Sequence, residues 1–223
     1  METQPTERRA DALSKARIVE AAISILDADG EGALTFRALA ARLATGSGAI
    51  YWHVADKNDL LAAATDDIVA RVMTETVGDA EPREAIRAIA LGLFDAIDDH
   101  PWVGAQLSRG PWGAAMLRIF EGVGGRLQAI GAPDRMVFNA ASALVSYILG
   151  VAGQNAANAR MAREMKLLDR STFLAGIAAR WAQLDPVEHP FVRQVAAQFA
   201  DHDDREQFLA GIDLILAGIG TVR

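Results

Sequence analysis

The side chains best suited to gripping another surface lie in one stretch, TGSGAIYWHVADK (45–57). Tyr51 and His53 are short, fairly stiff hydrogen-bond donors, Trp52 stands between them, and Lys57 adds a positive charge. Groups of this kind reach phosphate oxygens at small cost in side-chain freedom. Just before them, Ser47, Gly48 and Ala49 carry almost no side chain, which lets the backbone approach another surface closely. Catalytic chemistry is harder to find. The four histidines, His53, His100, His189 and His202, show no His-x-x-x-His or His-Glu spacing, and GVGG (122–125) follows no strand pattern, so it is no dinucleotide fingerprint. Asp201, Asp203, Asp204 and Glu206 could hold a cation, but they read better as a charged loop feeding a helix N-terminus, where carboxylates are favoured. With no cysteine there is neither a disulfide nor a thiolate metal site. The residues predict no enzyme, no metal and no cofactor.

Helical periodicity positions these residues, and strand alternation is nearly absent. A first helix fits 14–28, with Ser14 as N-cap, Gly30 beyond the end, and Ile18, Ala22, Ile25 and Leu26 on one apolar stripe. Thr35 caps a short second helix whose Phe36, Leu39, Ala40 and Leu43 point inward. ATGSG breaks the chain, AIYWHV allows a short third helix, and Asp56 caps a fourth over 57–76. Further helices fit 83–99, 102–108, 113–130, 134–160, 171–184, 189–200 and 204–219. The chain is predicted all-α, with short helices to about residue 55 and longer ones afterwards.

Two short helices joined by a tight break, behind a longer one, describe a three-helix helix-turn-helix unit, whose last helix enters the DNA major groove. On that geometry GSGA permits close approach, while Tyr51, His53 and Lys57 grip the phosphate rails. The helix N-termini near Thr35 and Asp56 add free backbone N–H groups. An ordinary helical core accounts for Ile50 and Val54, and for a Trp in a short amphipathic helix, so the pattern alone leaves both readings open.

LTFRALAARLATGSGAIYWHVADKNDLL (34–61) resembles the DNA-binding signature of the tetracycline-repressor (TetR) family of bacterial transcriptional regulators. The match runs through Thr35, Arg37, Leu39, Ala40, Leu43, Ile50, Tyr51, His53, Val54, Lys57 and Leu60. The resemblance implies that Thr35, Tyr51, His53 and Lys57 contact phosphates, and that Thr45, Ser47, Gly48, Ala49 and Trp52 touch or approach bases, with Arg37 on the same DNA-binding element. Gly46 stands where many relatives have a polar helix cap, so Thr45 or Ser47 is expected to cap instead. The recognition helix has no Arg, Lys, Asn or Gln for a bidentate base contact, which throws specificity onto Ser47, Ala49 and DNA shape. Domains follow: a flexible arm over 1–11 that carries Arg8 and Arg9, a helix-turn-helix domain over 12–58, and a larger helical ligand-binding and dimerisation domain over 59–223.

That larger part shows no sharp motif. The helix over 134–160 is apolar nearly all round and must be covered on two sides. The last helix places Phe208, Ile212, Ile215 and Ile219 on one stripe, with Gly211 and Gly218 allowing close approach, and is read as a homodimer interface. An effector pocket is expected at Trp102, Gln106, Trp112, Met116 and Tyr147, with His100 a helix C-terminal cation. The implied function is a ligand-responsive repressor that binds a double-stranded palindromic operator as a homodimer and is released by a small-molecule effector. The alternative is a helical ligand- or protein-binding module with a non-functional head.

Bulk properties agree. The 223 residues are 51% apolar and 23% charged. Net charge is −7, and residues 1–57 carry seven basic against eight acidic side chains, which argues against a protein that coats nucleic acid by charge alone. The polar start has no signal-peptide centre, and no apolar run approaches membrane-spanning length, so a cytoplasmic protein with no membrane partner is expected.

Overall fold

The computed structural model describes residues 13–76, 80–109, 113–164, 170–200 and 202–219, and among these every regular element is helical. The expected arm and Trp112 lie outside the described residues. The helices are α1 (Lys15–Asp29), a 3-10 turn (Glu31–Ala33), α2 (Phe36–Arg42), α3 (Ser47–Tyr51), α4 (Lys57–Thr76), α5 (Pro82–Asp99), α6 (Pro101–Arg109), α7 (Ala114–Ala129), α8 (Asp134–Glu164), α9 (Arg170–Ala182), α10 (Pro190–Ala200) and α11 (Asp204–Ile219).

Local chemistry sets the ends. Ser14 accepts from Arg17 N at 3.3 Å, and Gly30 (φ 76°) closes α1 by donating to Leu26 O. Thr35 Oγ1 accepts from Ala38 N at 3.1 Å. Asp56 Oδ1 accepts from Asp59 N at 2.8 Å while Asp59 Oδ2 accepts from Ala55 N at 3.0 Å, a reciprocal arrangement at the start of α4. Asp203 does the same work for α11, accepting from Glu206 N at 2.8 Å.

Helices α1 to α3 bury Ile18, Ala22, Leu26, Leu34, Leu39, Ile50 and Val54 in a small head against Leu60 and Leu61 of α4. α4 then continues into the larger part, where it packs on α5 and α7. α5 is the central helix there: it touches α4, α6, α7, α8 and α11 and buries Ile86, Ile89, Leu93, Phe94 and Ile97. α9 and α10 form a hairpin and pack mainly on each other. Their turn is fixed by Asp185, whose carboxylate accepts from Val187 N and Glu188 N at 2.7 and 3.0 Å. Those two N–H groups hold the Asp185 carboxyl below the usual carboxylate range.

α8 runs past its expected end. Over 134–162 it is long and apolar enough to cross a membrane by length and composition, its most apolar 18-residue window having a mean hydropathy of 1.6, yet it lies along α5, α6, α7 and α11. Within one chain its cover is one-sided: Ala143, Ser146, Gly150 and Ala157 remain exposed.

The expected dimer stripe is corrected here. Phe208 and Ile212 are fully buried in their own chain and Ile219 nearly so, with Phe208 stacked between Phe94 (4.7 Å) and Tyr147 (5.7 Å). Ile215 packs partly buried against the same core. Gly211 faces the Tyr147 ring so closely that a Cβ there would meet the phenol. Of the six expected interface residues only Gly218 is exposed. The most apolar stripe of an amphipathic helix goes to the largest available apolar surface, which here is α5 and α8. The exposed face of α11 carries Ala210, Leu214 (75% exposed) and Ala217.

Candidate nucleic-acid interface and ligand cavity

The turn into α3 is tight for a definable reason. Ala44 takes a left-handed conformation (φ 51°), so that Thr45 N reaches Ala40 O at 3.0 Å and Ala44 N reaches Ala41 O at 3.3 Å. These two bonds satisfy the last carbonyls of α2 and swing α3 across it. α3 opens at Gly46 with no side-chain cap, so neither Thr45 nor Ser47 fills that role. A Cβ added at Gly46 or Gly48 would meet nothing within 4 Å. Folding therefore does not require glycine at either position.

Only Ile50 of α3 is buried, anchoring the helix to the head. Tyr51 and Trp52 are 57% and 90% exposed, which is costly for aromatic surface without a partner. The Tyr51 ring stacks on Phe36 at 4.2 Å with an interplanar angle of 4°. Phe36, expected to point inward, is thus partly drawn to the surface as a platform. Gly48 and Arg37 are exposed, and Thr45, Ser47, Ala49 and His53 are half-buried. Thr35 is exposed, its hydroxyl engaged as the cap of α2. Lys57 Nζ donates to Glu31 O at 2.5 Å, which spends one of its three donors within the head.

Two acids of the head, Asp27 and Glu31, turn towards the larger part. Asp27 Oδ1 lies 2.8 Å from His100 Nδ1 and accepts from Trp102 Nε1, also at 2.8 Å. Glu31 Oε2 accepts from Arg109 at 2.8 Å and from Gln106 Nε2 at 3.2 Å. α6 and the His100 that precedes it are therefore tied to α1 and the 3-10 turn by four polar contacts.

A cavity of about 780 Å³ opens where α5 and α8 face the α9–α10 hairpin and the start of α11. Phe94, Phe173, Trp181 and Phe199 supply aromatic wall, and Asp98, Asn155 and Gln207 supply polar points. Asp98 Oδ1 accepts from Asn155 Nδ2 at 3.1 Å. None of the described residues expected to form a pocket lines this cavity. Trp102 and Gln106 face the head, as just described. Met116 is buried in the core. Tyr147 donates to Phe208 O at 3.2 Å, and burial pushes its phenol above the usual tyrosine range. An aromatic residue with a polar tip reads the same in sequence whether that tip meets a ligand or a neighbouring helix. The residues that do line the cavity come from five helices spread along the sequence, and no spacing signals them.

Comparison with known proteins agrees with this architecture. Residues 18–64 match the family described as bacterial regulatory proteins, tetR family, and residues 77–223 match the tetracyclin repressor-like C-terminal domain. An HTH-type transcriptional regulator of Saccharopolyspora erythraea is 34% identical over 139 residues, which span 62% of this chain and 59% of that relative. The HTH-type transcriptional repressor DrrR1 of Streptomyces coeruleorubidus is 26% identical over 218 residues, covering 97% of this chain and 80% of DrrR1. Among solved structures, the transcriptional regulator SCO7222 of Streptomyces coelicolor, a TetR, superposes with a TM-score of 0.86 at 52% identity, covering 93% of this chain and 98% of that one. A helix-turn-helix head, a helical body with a cavity, and family matches over both parts converge: the chain belongs to the tetR family of bacterial regulatory proteins.

Proposed function

We propose that this protein is a ligand-responsive transcriptional repressor that binds a palindromic DNA operator as a homodimer and lets go when a small molecule fills the cavity. The observation that carries the reading is a short covalent path from cavity to head. Asp98 stands on the cavity wall, α5 ends at the next residue, and His100 and Trp102 hold Asp27 of α1. A ligand that shifts the end of α5 pulls on the head through two hydrogen bonds. Thermodynamic linkage then requires DNA to weaken ligand binding by the same factor, typically about 5–150-fold.

DNA contact rests on Tyr51, His53 and Lys57 at the phosphates, with Thr35 and Arg37 on α2 beside them. Thr45, Ser47, Gly48, Ala49 and Trp52 face the bases. The dimer places two such heads one helical turn apart. Its interface is the exposed face of α8 (Ala143, Ser146, Gly150, Ala157) with that of α11 (Ala210, Leu214, Ala217, Gly218). Small residues there permit close helix packing, and only about a third of the most apolar window of α8 is fully buried in one chain.

Selection of binding sites from random duplex DNA tests this, followed by titration of the best site at two salt concentrations. An enriched palindrome whose affinity falls steeply with salt is the expected result. Failure to enrich any site, with the protein refolded to remove retained ligand, sinks the DNA-binding reading in favour of a binding module with an idle head.

A further inference from the structure

The cavity's own lining indicates the chemical class of its occupant. One wall is an aromatic ladder: Trp181 lies 4.5 Å from Phe199, and Phe199 stacks on the His202 ring at 5.7 Å and 8°. Phe94 and Phe173 add further aromatic surface. A volume of about 780 Å³ falls in the usual range for drug-sized ligands, roughly 300–1,000 Å³. Flat walls favour a flat ligand, since stacked rings gain most contact with least ordering.

Charge selects further. Among the described lining residues the formal charges are the carboxylates of Asp98 and Asp204, and there is no Lys or Arg. His202, which can become cationic, is 3.0 Å from Asp204 through Nε2. Asp98 and Asp99 occupy the last turn of α5, which holds no basic residue. That end of a helix carries the negative pole of the macrodipole, so carboxylates there raise the demand for a cation. The neighbouring Asp95 reports the same field: burial, then the charges of Asp99 and Asp98, push its carboxyl above the usual range although Arg205 opposes them at 3.0 Å. Aromatic faces add their own attraction for a cation.

We infer that the cavity takes a flat polycyclic aromatic cation, its rings against Trp181 and Phe199 and its positive charge towards Asp98. The inference rests on the regulator reading for its biological meaning, but its chemistry is testable without DNA. Three dyes share one xanthene ring system and differ in charge: rhodamine 6G is a cation, rhodamine B is net neutral and fluorescein is an anion. Their binding to the full-length protein is followed by fluorescence anisotropy at pH 8. The expected order is rhodamine 6G first, rhodamine B next and fluorescein last, with at least a ten-fold span. Asp98→Asn weakens rhodamine 6G by about five- to ten-fold and narrows that span, whereas Trp181→Leu weakens all three dyes together. The inference is overturned if fluorescein equals or exceeds rhodamine 6G, if none of the dyes binds, or if Asp98→Asn leaves rhodamine 6G unchanged. Operator binding is scored separately by mobility shift without dye. Retained operator binding with no charge preference among the dyes overturns the ligand class alone. The dye order without operator binding overturns the regulator reading alone.

Discussion

At position 51 an exposed phenol ring is held by the stack on one neighbour, Phe36. The parallel stack on Phe36 restricts the ring in the free protein, which lowers the ordering cost of the proposed phosphate contact. Tyr51→Phe keeps the stack and deletes the hydroxyl. It should leave thermal unfolding unchanged and lower operator affinity by about 1 kcal/mol, roughly five-fold, in an anisotropy titration. The salt slope should not change, because no charge is lost. The residue types at this site were legible in sequence, and so was the helix-turn-helix spacing around them. The Phe36 platform was not. Phe36 sits at an inward position of the helical pattern, and only the crossing of α2 and α3 brings Tyr51 over it.

Helix ends followed the sequence closely, since caps are local chemistry: Ser14, Thr35 and Asp56 stand where Ser, Thr and Asp satisfy free N–H groups. The turn after α2 departs from the usual choice. It puts Ala44 in the left-handed region that glycine occupies at least cost. Ala44→Gly is therefore expected to stabilise the head by up to about 1 kcal/mol, read as a rise in melting temperature with the operator sequence preference unchanged. A fall in stability would show that the greater freedom of glycine in the unfolded chain outweighs the relief. At the same scale lies the misassigned stripe of α11. Periodicity identified an apolar face correctly and could not say whether that face meets its own chain or a second copy. The side chains are the same in both cases.

Across the whole molecule, head and body are joined by α4 and by the polar contacts that α6 makes to Asp27 and Glu31. Trp102→Phe keeps an aromatic side chain, smaller by one ring, and removes the N–H from which Asp27 accepts. Stability should fall by about 1 kcal/mol, and the factor by which ligand weakens operator binding should shrink while ligand affinity for the free protein stays within two-fold. Equilibrium titrations of each ligand with and without the other measure that factor directly. Leu214→Glu places a charge on the exposed face of α11, in the proposed dimer contact. Sedimentation should show a shift towards monomer, with operator affinity reduced at least ten-fold and helix content intact, because one head alone reads half a site.

Sequence by itself determined what depends on near neighbours: the all-helical class, most helix boundaries, the caps at Ser14, Thr35 and Asp56, and a short helix bearing small residues followed by Tyr51, Trp52 and His53. Tertiary structure decided what depends on helices far apart in the chain. It placed Trp102 and Gln106 on the head and buried Phe208 and Ile212 against α5 and α8. It also built the cavity from Phe94, Asn155, Trp181 and Phe199, spread over more than 100 residues. Local hydrogen bonds and periodicity act over three or four residues, so a single helix displays them. The partner of an apolar face or a polar tip is chosen by packing between helices, and no stretch of one helix carries that choice.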